Sequence, residues 1–353
     1  MIHQPVDNLL SSAIAEQIFP GAVLLAARSE RVLLHQAYGT TMYADAGSWP
    51  VTCDTIFDIA SLTKLFTATA VLCLLDAGLL DLDAEARRYL PGLRASGVNL
   101  RHLLTHTSGL ELRLSLLREG GAASIRAAIY GQEPGRLPGS YLAYTNIGAT
   151  ILGEIISAVY GGPLDSAISE LISGPLGMAA TCFNPPATWH TQIAPSEWDD
   201  SWRKGLVQGV VHDESACALG GVAGHAGLFS TAENLLRFGR MWLAGGAFAG
   251  RQILREATVA AALRDYTWGL PSPTGQPFRA GLGWMIDRPF MGAAPLGSVG
   301  HTGFTGPIIV LCPANDSCLV MLCNRTYPRR TPPPYRHHAV MAQLCDMFIA
   351  GER

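Results

Sequence analysis

The chain has 353 residues, of which 48% are hydrophobic and 15% are charged. It is therefore long enough for two subdomains around a large core, and too apolar for a disordered protein. Its net charge is −3 with histidine counted as neutral, and no basic stripe runs along it, which argues against a nucleic acid or an anionic membrane as partner.

The N-terminal part of the sequence predicts a helix, a hairpin and a second helix. The first helix is predicted over 5–18, and two alternating strands over 22–27 and 32–37. The apolar run that ends at Asp76 has the length and composition of a buried helix over 60–77, which Gly78 would end.

The rest of the chain predicts helices first and strands afterwards. Helices are predicted over 100–104, 122–130, 147–160, 164–172 and 335–349, and strands over 282–286, 308–311 and 319–323. Strands near both termini with helices between them predict an α/β (α+β) fold, in which one antiparallel sheet is flanked by helices. The predicted sheet subdomain comprises 1–79 and 226–353, a mainly helical subdomain comprises 80–225, and the active site lies between them.

The tetrapeptide Ser61-Leu62-Thr63-Lys64 heads the second helix. Side chains three residues apart share one helix face, with about 5–6 Å between their Cβ atoms. In the first helical turn, Ser61 would lie where unpaired N–H groups and the helix dipole favour developing negative charge. A desolvated lysine can take the proton of a serine and make it a nucleophile. The pair predicts a catalytic Ser61 and Lys64, whereas the structural alternatives are a helix N-cap and an exposed lysine.

Two further motifs follow in the chain. Tyr144-Thr145-Asn146 lies between a turn-rich stretch and the predicted helix 147–160, and His301-Thr302-Gly303 precedes the predicted strand 308–311. The order S-x-x-K, Y-x-N and a basic residue followed by T-G is the signature of penicillin-recognising serine hydrolases.

With these motifs, the chain resembles the serine β-lactamase-like family of class C type. This family includes penicillin-binding proteins, D-alanyl-D-alanine carboxypeptidases and family VIII-type esterases, and the resemblance covers most of the chain, including the segment L-L-T-H-T-S-G-L at 103–110. The segments 211–214, 219–228 and 301–306, with Asn324-Arg325, resemble a narrower branch of carboxypeptidase-like proteins and N-acetylmuramoyl-L-alanine amidases. The resemblance implies a β-lactamase/transpeptidase-like fold.

The resemblance also implies roles for residues of the second and third motifs. Tyr144 would protonate the leaving group and activate the deacylating water, and Asn146 would fix Lys64 or donate to the substrate amide. The backbone N–H groups of Ser61 and Phe304 would form the oxyanion hole. Whether Lys64 or Tyr144 takes the first proton stays open, and a core tyrosine and a turn-forming asparagine are the structural alternatives.

His301 departs from the family pattern, because many β-lactamases carry lysine at this position to meet the carboxylate of the drug. A histidine is charged only part of the time near neutral pH, so we expect weak β-lactamase activity. Thr302 is expected to line the same edge of the site, and Gly303 to let the substrate approach the backbone closely.

Other histidines raise the alternative of a metallohydrolase. His102 and His106 have the four-residue spacing of a helical zinc site, but Leu103 replaces the glutamate of H-E-x-x-H. A structural role is therefore preferred. For His212, Asp213 and His225, which flank a glycine-rich loop, a contact with substrate or a loop-fixing role is preferred over metal binding.

The chain offers few signals for a membrane, a leader or disulfides. Asp76 interrupts the longest apolar run, so no transmembrane helix is expected. The first residues do not resemble a signal peptide, which favours a cytoplasmic location, although a periplasmic or secreted chain trimmed of its leader would read the same. The eight cysteines include no C-x-x-C pair, so reduced thiols are expected, with Cys312 and Cys318 as the one candidate pair.

The sequence thus predicts a serine hydrolase without metal or organic cofactor. It would cleave a carboxylic ester or amide through an acyl-enzyme, and its substrate would be a small ester or a peptidoglycan-derived fragment. The alternatives are a penicillin-binding sensor that acylates but turns over poorly, and a weak β-lactamase.

Overall fold

Strands from both ends of the chain form one antiparallel sheet. The structure, a computed structural model, describes residues 3–43, 47–273 and 279–350. Its strands are β1 (Gly21–Arg28), β2 (Arg31–Gly39), β3 (Phe57–Asp58), β4 (Cys182–Phe183), β5 (Glu197–Asp199), β6 (Gly205–Val207), β7 (Leu228–Ser230), β8 (Ala247–Phe248), β9 (Arg251–Gln252), β10 (Arg279–Ala280), β11 (Met285–Ile286), β12 (Val299–Thr302), β13 (Ile308–Cys312) and β14 (Ser317–Cys323). The main sheet has the order β10-β11-β12-β13-β14-β1-β2, which confirms the predicted sheet.

The predicted helices agree with the structure within a few residues, whereas the three helices between residues 214 and 262 were not predicted. The α-helices are α1 (His3–Ala15), α2 (Thr63–Asp76), α3 (Leu100–Leu104), α4 (Gly121–Tyr130), α5 (Ile147–Tyr160), α6 (Leu164–Ile168), α7 (Glu214–Ala218), α8 (Ala232–Leu243), α9 (Glu256–Ala262) and α10 (Arg336–Phe348). The predicted helix 164–172 consists of α6 and a π-helical turn over Ser169–Ser173. The predicted strand 282–286 is correct only at its end, because β11 covers Met285–Ile286 alone.

The central strands are buried on both faces, because each face is covered by helices. Along β14, the side chains of Cys318, Val320 and Leu322 pack with residues of α2 and α8. The alternate side chains, such as Met321, pack with residues of α1 and α10 on the other face. This period-two alternation between two cores explains why the strands read as continuous apolar runs.

The chain between 80 and 225 contains helices α3 to α7 and the short strands β4, β5 and β6. Helix α2, which follows Ser61 and is called the nucleophile helix below, packs against α5. It therefore lies between the main sheet and the helical part of the chain. The division of subdomains at residues 79/80 and 225/226 stays a prediction.

The cysteines are all free, and all lie within the described residues. Cys312 is opposite Ser317, and Cys318 is opposite Leu311, in the β13–β14 pairing. Because Cys312 packs with the α1/α10 core and Cys318 with the α2/α8 core, their side chains lie on opposite faces of the sheet. The candidate disulfide is therefore wrong.

As for membrane spans, no single described helix is long and apolar enough to cross a bilayer. One bent pair of helices, Ile147–Tyr160 with Leu164–Ser173, could do so by length and composition only.

Candidate active site

Ser61 and Lys64 meet at the start of the nucleophile helix. The Lys64 Nζ atom donates a hydrogen bond to Ser61 Oγ at 2.9 Å and a second to the backbone oxygen of His225 at 3.2 Å. Lys64 is only 3% exposed, whereas Ser61 lines the cleft described below. Ser61 does not lie in the first turn of the α-helix as expected, because α2 begins at Thr63 and Ser61 belongs to a preceding 3-10 turn, Ala60–Leu62.

The buried carboxylate of Asp58 holds this turn in place. Its two oxygens accept hydrogen bonds from the backbone N–H of Ala60 at 2.8 Å and of His212 at 2.6 Å. Burial raises the pKa of Asp58 although these donors oppose the shift. The backbone oxygen of the same residue accepts from Thr305 Oγ1 at 2.8 Å. Asp58 therefore connects the serine turn to the loop at 212 and to the turn after the H-T-G motif.

The ring of Tyr144 lies over the catalytic pair and is 40% exposed. Lys64 Nζ is 5.0 Å from the centre of this ring, so the amine faces the tyrosine as well as the serine. The rings of His106 and His301 flank it, with centroids 4.6 and 5.9 Å away. A backbone hydrogen bond from Ala143 N–H to His106 oxygen at 3.0 Å fixes the chain just before Tyr144.

His301 is neutral at physiological pH, contrary to the expectation of partial charge. It is 1% exposed, and burial together with the nearby Lys64 lowers its pKa to about 3. The same two causes lower the pKa of His106 to about 3. His301 Nδ1 lies 2.9 Å from the backbone oxygen of Thr302, where an N–H can donate. Lys64 is therefore flanked by uncharged imidazoles.

Residues after His301 line the cleft beside Ser61. Thr302, Gly303 and Phe304 all border it. A Cβ atom at Gly303 would lie 2.7 Å from the backbone oxygen of Ile59. Close packing against the segment before Ser61 thus already requires a glycine at this position, in addition to any approach by substrate. The Phe304 backbone N–H makes no hydrogen bond within the described part of the chain, as an oxyanion donor requires.

Charged and aromatic groups surround the Phe304 ring. The guanidinium carbon of Arg325 lies 4.6 Å from its centroid and 4.1 Å from that of Tyr335. Arg325 is 5% exposed, and burial lowers its pKa. The His212 ring lies 5.6 Å from Phe304. These contacts fix the side chain of Phe304, whose backbone N–H is the predicted second oxyanion donor.

Two adjoining cavities of about 870 and 670 Å³ open at the nucleophile. Both are lined by Ser61, Tyr144, Asn146, Asp213 and Phe304. Asn146 Nδ2 donates to Asp213 Oδ2 at 3.5 Å, so its amide group is directed to Asp213 as well as to the cleft. The structure thus brings every predicted site residue to one cleft or its immediate wall.

The histidines of the metal hypothesis do not converge. His102 forms a capping box with Asn99 at the start of α3, whereas His106 packs on Tyr144. His212 bonds Glu197 at 2.9 Å, and His225 bonds Asp213 at 3.1 Å. Within the residues that the structure describes, no group of three or more His, Cys, Asp or Glu could hold a metal ion.

Sequence reasoning missed the contributions of Asp58, His106 and Arg325 to this site. Arg325 was assigned no role beyond a family segment, His106 none beyond a family segment and a zinc spacing, and Asp58 no role. Their roles depend on contacts between residues far apart in the chain, such as Asp58 with His212 and Arg325 with Phe304. The one sequence signal for Asp58 was its position three residues before the nucleophile.

Buried neutral histidines predict an acid-sensitive fold. Burial is the main cause that lowers the pKa of His106 and His301 to about 3, of His337 to about 2 and of His338 to about 4. Unfolded histidine has a pKa of about 6.5. Below that pH the unfolded chain binds more protons than the folded one, so the free energy of unfolding falls as the pH drops from about 6.5 towards these lower values. We expect the Tm measured by calorimetry to fall steadily between pH 7 and pH 4.

A variant separates this effect from general acid denaturation. The two ring nitrogens of His337 have no hydrogen-bond partner among the described residues, so His337→Leu should make the decline of Tm with falling pH shallower. The exposed His190 is the matched control, and His190→Leu should leave the slope unchanged. An equal slope in wild type and His337→Leu would contradict the assignment.

The comparison with known families shows the family to which the chain belongs. Residues 6–342 match the family model described as Beta-lactamase. The chain belongs to the beta-lactamase family. This confirms the resemblance drawn from the motifs, and the protein is a serine hydrolase of this family.

Individual relatives agree with this family at moderate identity. A protein of Escherichia coli K12 named "Putative D-alanyl-D-alanine carboxypeptidase" is 29% identical over 92% of this chain and 85% of its own length. EstCE1, described as a hydrolase with promiscuous acyltransferase activity, superposes with a TM-score of 0.78 at 21% identity, covering 98% of both chains. The octameric penicillin-binding protein homologue of Pyrococcus abyssi has a TM-score of 0.77 at 24% identity, covering 98% of this chain and 78% of its own. The two structures show a shared fold.

Proposed function

We propose that this beta-lactamase-family hydrolase cleaves a carboxylic ester or amide through an acyl-enzyme on Ser61. The observation that carries the proposal is the 2.9 Å contact between Lys64 Nζ and Ser61 Oγ at the mouth of the cleft. That distance lies within the range over which a base can accept the proton of a nucleophile.

The chemistry follows from the placement of these groups. Ser61 Oγ attacks the substrate carbonyl carbon and passes its proton to the Lys64–Tyr144 pair, while the carbonyl electrons move to its oxygen. The backbone N–H groups of Ser61 and Phe304 stabilise this oxyanion, a contribution commonly worth about 2.7–4 kcal/mol per donor. The leaving alcohol or amine departs with a proton from the pair, and water then repeats the sequence on the acyl-enzyme to release the acid and free Ser61.

Two substrate classes have support. The neutral His301 places no positive charge where many family members carry lysine, which favours a small ester without a strict need for a carboxylate. The name of the E. coli relative, and two cavities of about 870 and 670 Å³ that can hold a peptide fragment, favour a peptidoglycan-derived amide. A cytoplasmic location stays a sequence prediction.

A parallel rate comparison tests the proposal. We expect turnover of p-nitrophenyl acetate or butyrate, slow turnover of a chromogenic cephalosporin, and measurable release of D-alanine or peptide from a muramoyl-peptide if that class is the natural one. Turnover of the esters alone would assign an esterase. Stoichiometric acylation by the cephalosporin without turnover of any ester would instead support the penicillin-binding sensor.

A further inference from the structure

The His225 side chain lies outside the proposed proton relay, yet it is completely buried and makes contacts through both ring nitrogens. Its Nδ1 atom lies 2.8 Å from Thr150 Oγ1. Its Nε2 atom lies 3.1 Å from Asp213 Oδ1 and 3.0 Å from Ser215 Oγ. A neutral imidazole carries one N–H and one lone pair, so the neighbours of the two nitrogens show which of them must carry a proton.

The neighbour of Nδ1 is a hydroxyl, which can donate to the ring or accept from it. Thr150 Oγ1 lies 2.9 Å from the backbone oxygen of Asn146 and 2.8 Å from Nδ1. The Asn146 oxygen already accepts a hydrogen bond from the backbone N–H of Thr150 at 3.0 Å, so the hydroxyl can turn its proton to a bare Nδ1. The contact therefore holds the ring on helix α5 whichever atom carries the proton.

The neighbours of Nε2 require a proton on that nitrogen. Ser215 Oγ donates to Asp213 Oδ1 at 2.5 Å, and the backbone N–H of Ala216 donates to the same oxygen at 2.9 Å. If Nε2 carried no proton, its lone pair would face a carboxylate oxygen 3.1 Å away, which is repulsive. Burial opposes ionisation of Asp213, but the nearby His225 and these hydrogen bonds outweigh it and hold its pKa well below the usual range.

We infer that the buried His225 ring, which donates from Nε2 to Asp213, positions the catalytic Lys64. The inference rests on the proposed function, in which Lys64 exchanges protons with Ser61. The connection is short, because the backbone oxygen of His225 itself accepts the hydrogen bond from Lys64 Nζ. His225 is thus a positioning residue, which acts through its own carbonyl group.

The segment around His225 is held from three sides. Its ring contacts Thr150 on helix α5. On another side it contacts Asp213, which immediately precedes α7, and Ser215 within α7. The preceding backbone oxygen, of Gly224, accepts from Thr67 Oγ1 on the nucleophile helix at 2.7 Å. A Cβ atom on Gly224 would lie 2.0 Å from the backbone oxygen of Ala149, so this loop is packed tightly on α5. Two consecutive carbonyl groups therefore face the nucleophile helix in a fixed orientation.

The His225–Asp213 pair also reaches the cleft. Asp213 lines both cavities, and its second oxygen, Oδ2, accepts from Asn146 Nδ2 at 3.5 Å. Oδ1, in contrast, accepts from Ser215, Ala216 and His225. The carboxylate thus joins the wall of the cleft to the residue that holds Lys64, and loss of the His225 ring would release both ends.

The proton on Nε2 can be measured on the unmodified protein. With ¹⁵N-labelled histidine, NMR at pH 7 should show a proton on Nε2 of His225. His106 and His301 are internal references, because they should each show one bare ring nitrogen at this pH. The signal of His225 is identified as the one lost in His225→Gln or His225→Asn. A bare Nε2 on His225 at pH 7 would overturn the inference.

Paired substitutions test the positioning role. His225→Gln keeps a donor near the place of Nε2, and His225→Asn keeps one near the place of Nδ1. Each should lower kcat by about 10²-fold with KM nearly unchanged, since a displacement of about 1 Å in a catalytic group costs about that much. The labelling rate of Ser61 by a fluorophosphonate should fall with kcat, and the exposed His190→Gln should change neither.

The outcomes separate this inference from the proposed function. Wild-type kcat in folded His225→Gln and His225→Asn would remove the positioning role, while an intact Ser61-dependent esterase activity would leave the proposed function standing. If neither variant folds, Thr150→Val removes only the hydroxyl that contacts Nδ1 and should still lower kcat by about 10-fold. An unchanged kcat in Thr150→Val would then contradict the role.

Discussion

Replacing Ser61 by alanine is expected to abolish labelling by a fluorophosphonate probe and to lower kcat for a p-nitrophenyl ester by roughly 10⁴-fold or more. Loss of the nucleophile in a serine hydrolase has effects of at least this size. The fold should survive, because the only described side-chain hydrogen bond of Ser61 is the one from Lys64. Labelling is followed by in-gel fluorescence, and folding by the thermal transition.

The control for this variant is a serine far from the cleft. Ser11 is exposed on α1, which covers the opposite face of the sheet, so Ser11→Ala should label and turn over as the wild type does. Unchanged labelling of Ser61→Ala would remove Ser61 from the nucleophile role. A shift of the labelled site to another serine would have the same consequence.

The second large effect is expected from the two candidate proton carriers. Lys64→Met retains the length of a buried, 3% exposed side chain but removes its amine, and Tyr144→Phe removes only the hydroxyl. Each should lower kcat by about 10²–10⁴-fold, the range of general acid–base catalysis. The double variant should lose much less than the product of the two factors, because the groups act on one proton path.

Matched substitutions elsewhere show whether these losses are specific. Lys204 is exposed and donates to the backbone oxygen of Asp200, so Lys204→Met should keep the wild-type kcat. Tyr160→Phe is the matched control for Tyr144→Phe, and it should also keep the wild-type kcat. A rate near that of the wild type in Lys64→Met or Tyr144→Phe would break the proposed proton path at that residue.

The sequence predicted the elements that depend on local pattern. The spacing of Ser61 and Lys64 predicted their contact because residues three apart meet on a helical turn, whether that turn is α-helical or begins as a 3-10 turn. The apolar runs at 308–311 and 319–323 predicted central strands, and both became strands buried on two faces. The position of Tyr144 over this pair was predicted from the family motif, and its 5.0 Å distance to Lys64 Nζ agrees with that motif.

Properties that depend on long-range packing could not be predicted in the same way. The charge of His301 was expected to vary near neutral pH, but its burial and the proximity of Lys64 come from tertiary structure. The glycine at 303 was assigned to substrate approach, whereas a Cβ atom there would lie 2.7 Å from the Ile59 backbone oxygen. The Asp213–His225 pair joins residues on either side of a loop, and its contacts with Thr150 and Ser215 arise only from the tertiary structure.

The central claim is most directly tested by trapping the acyl-enzyme. The protein is mixed with a slowly hydrolysed ester or cephalosporin, quenched in acid, and analysed by intact mass and peptide mapping. The account predicts a mass increase equal to the acyl group, carried by the peptide that contains Ser61 and absent from Ser61→Ala. Full turnover without any covalent adduct on rapid quenching, or an adduct on a different residue, would contradict it.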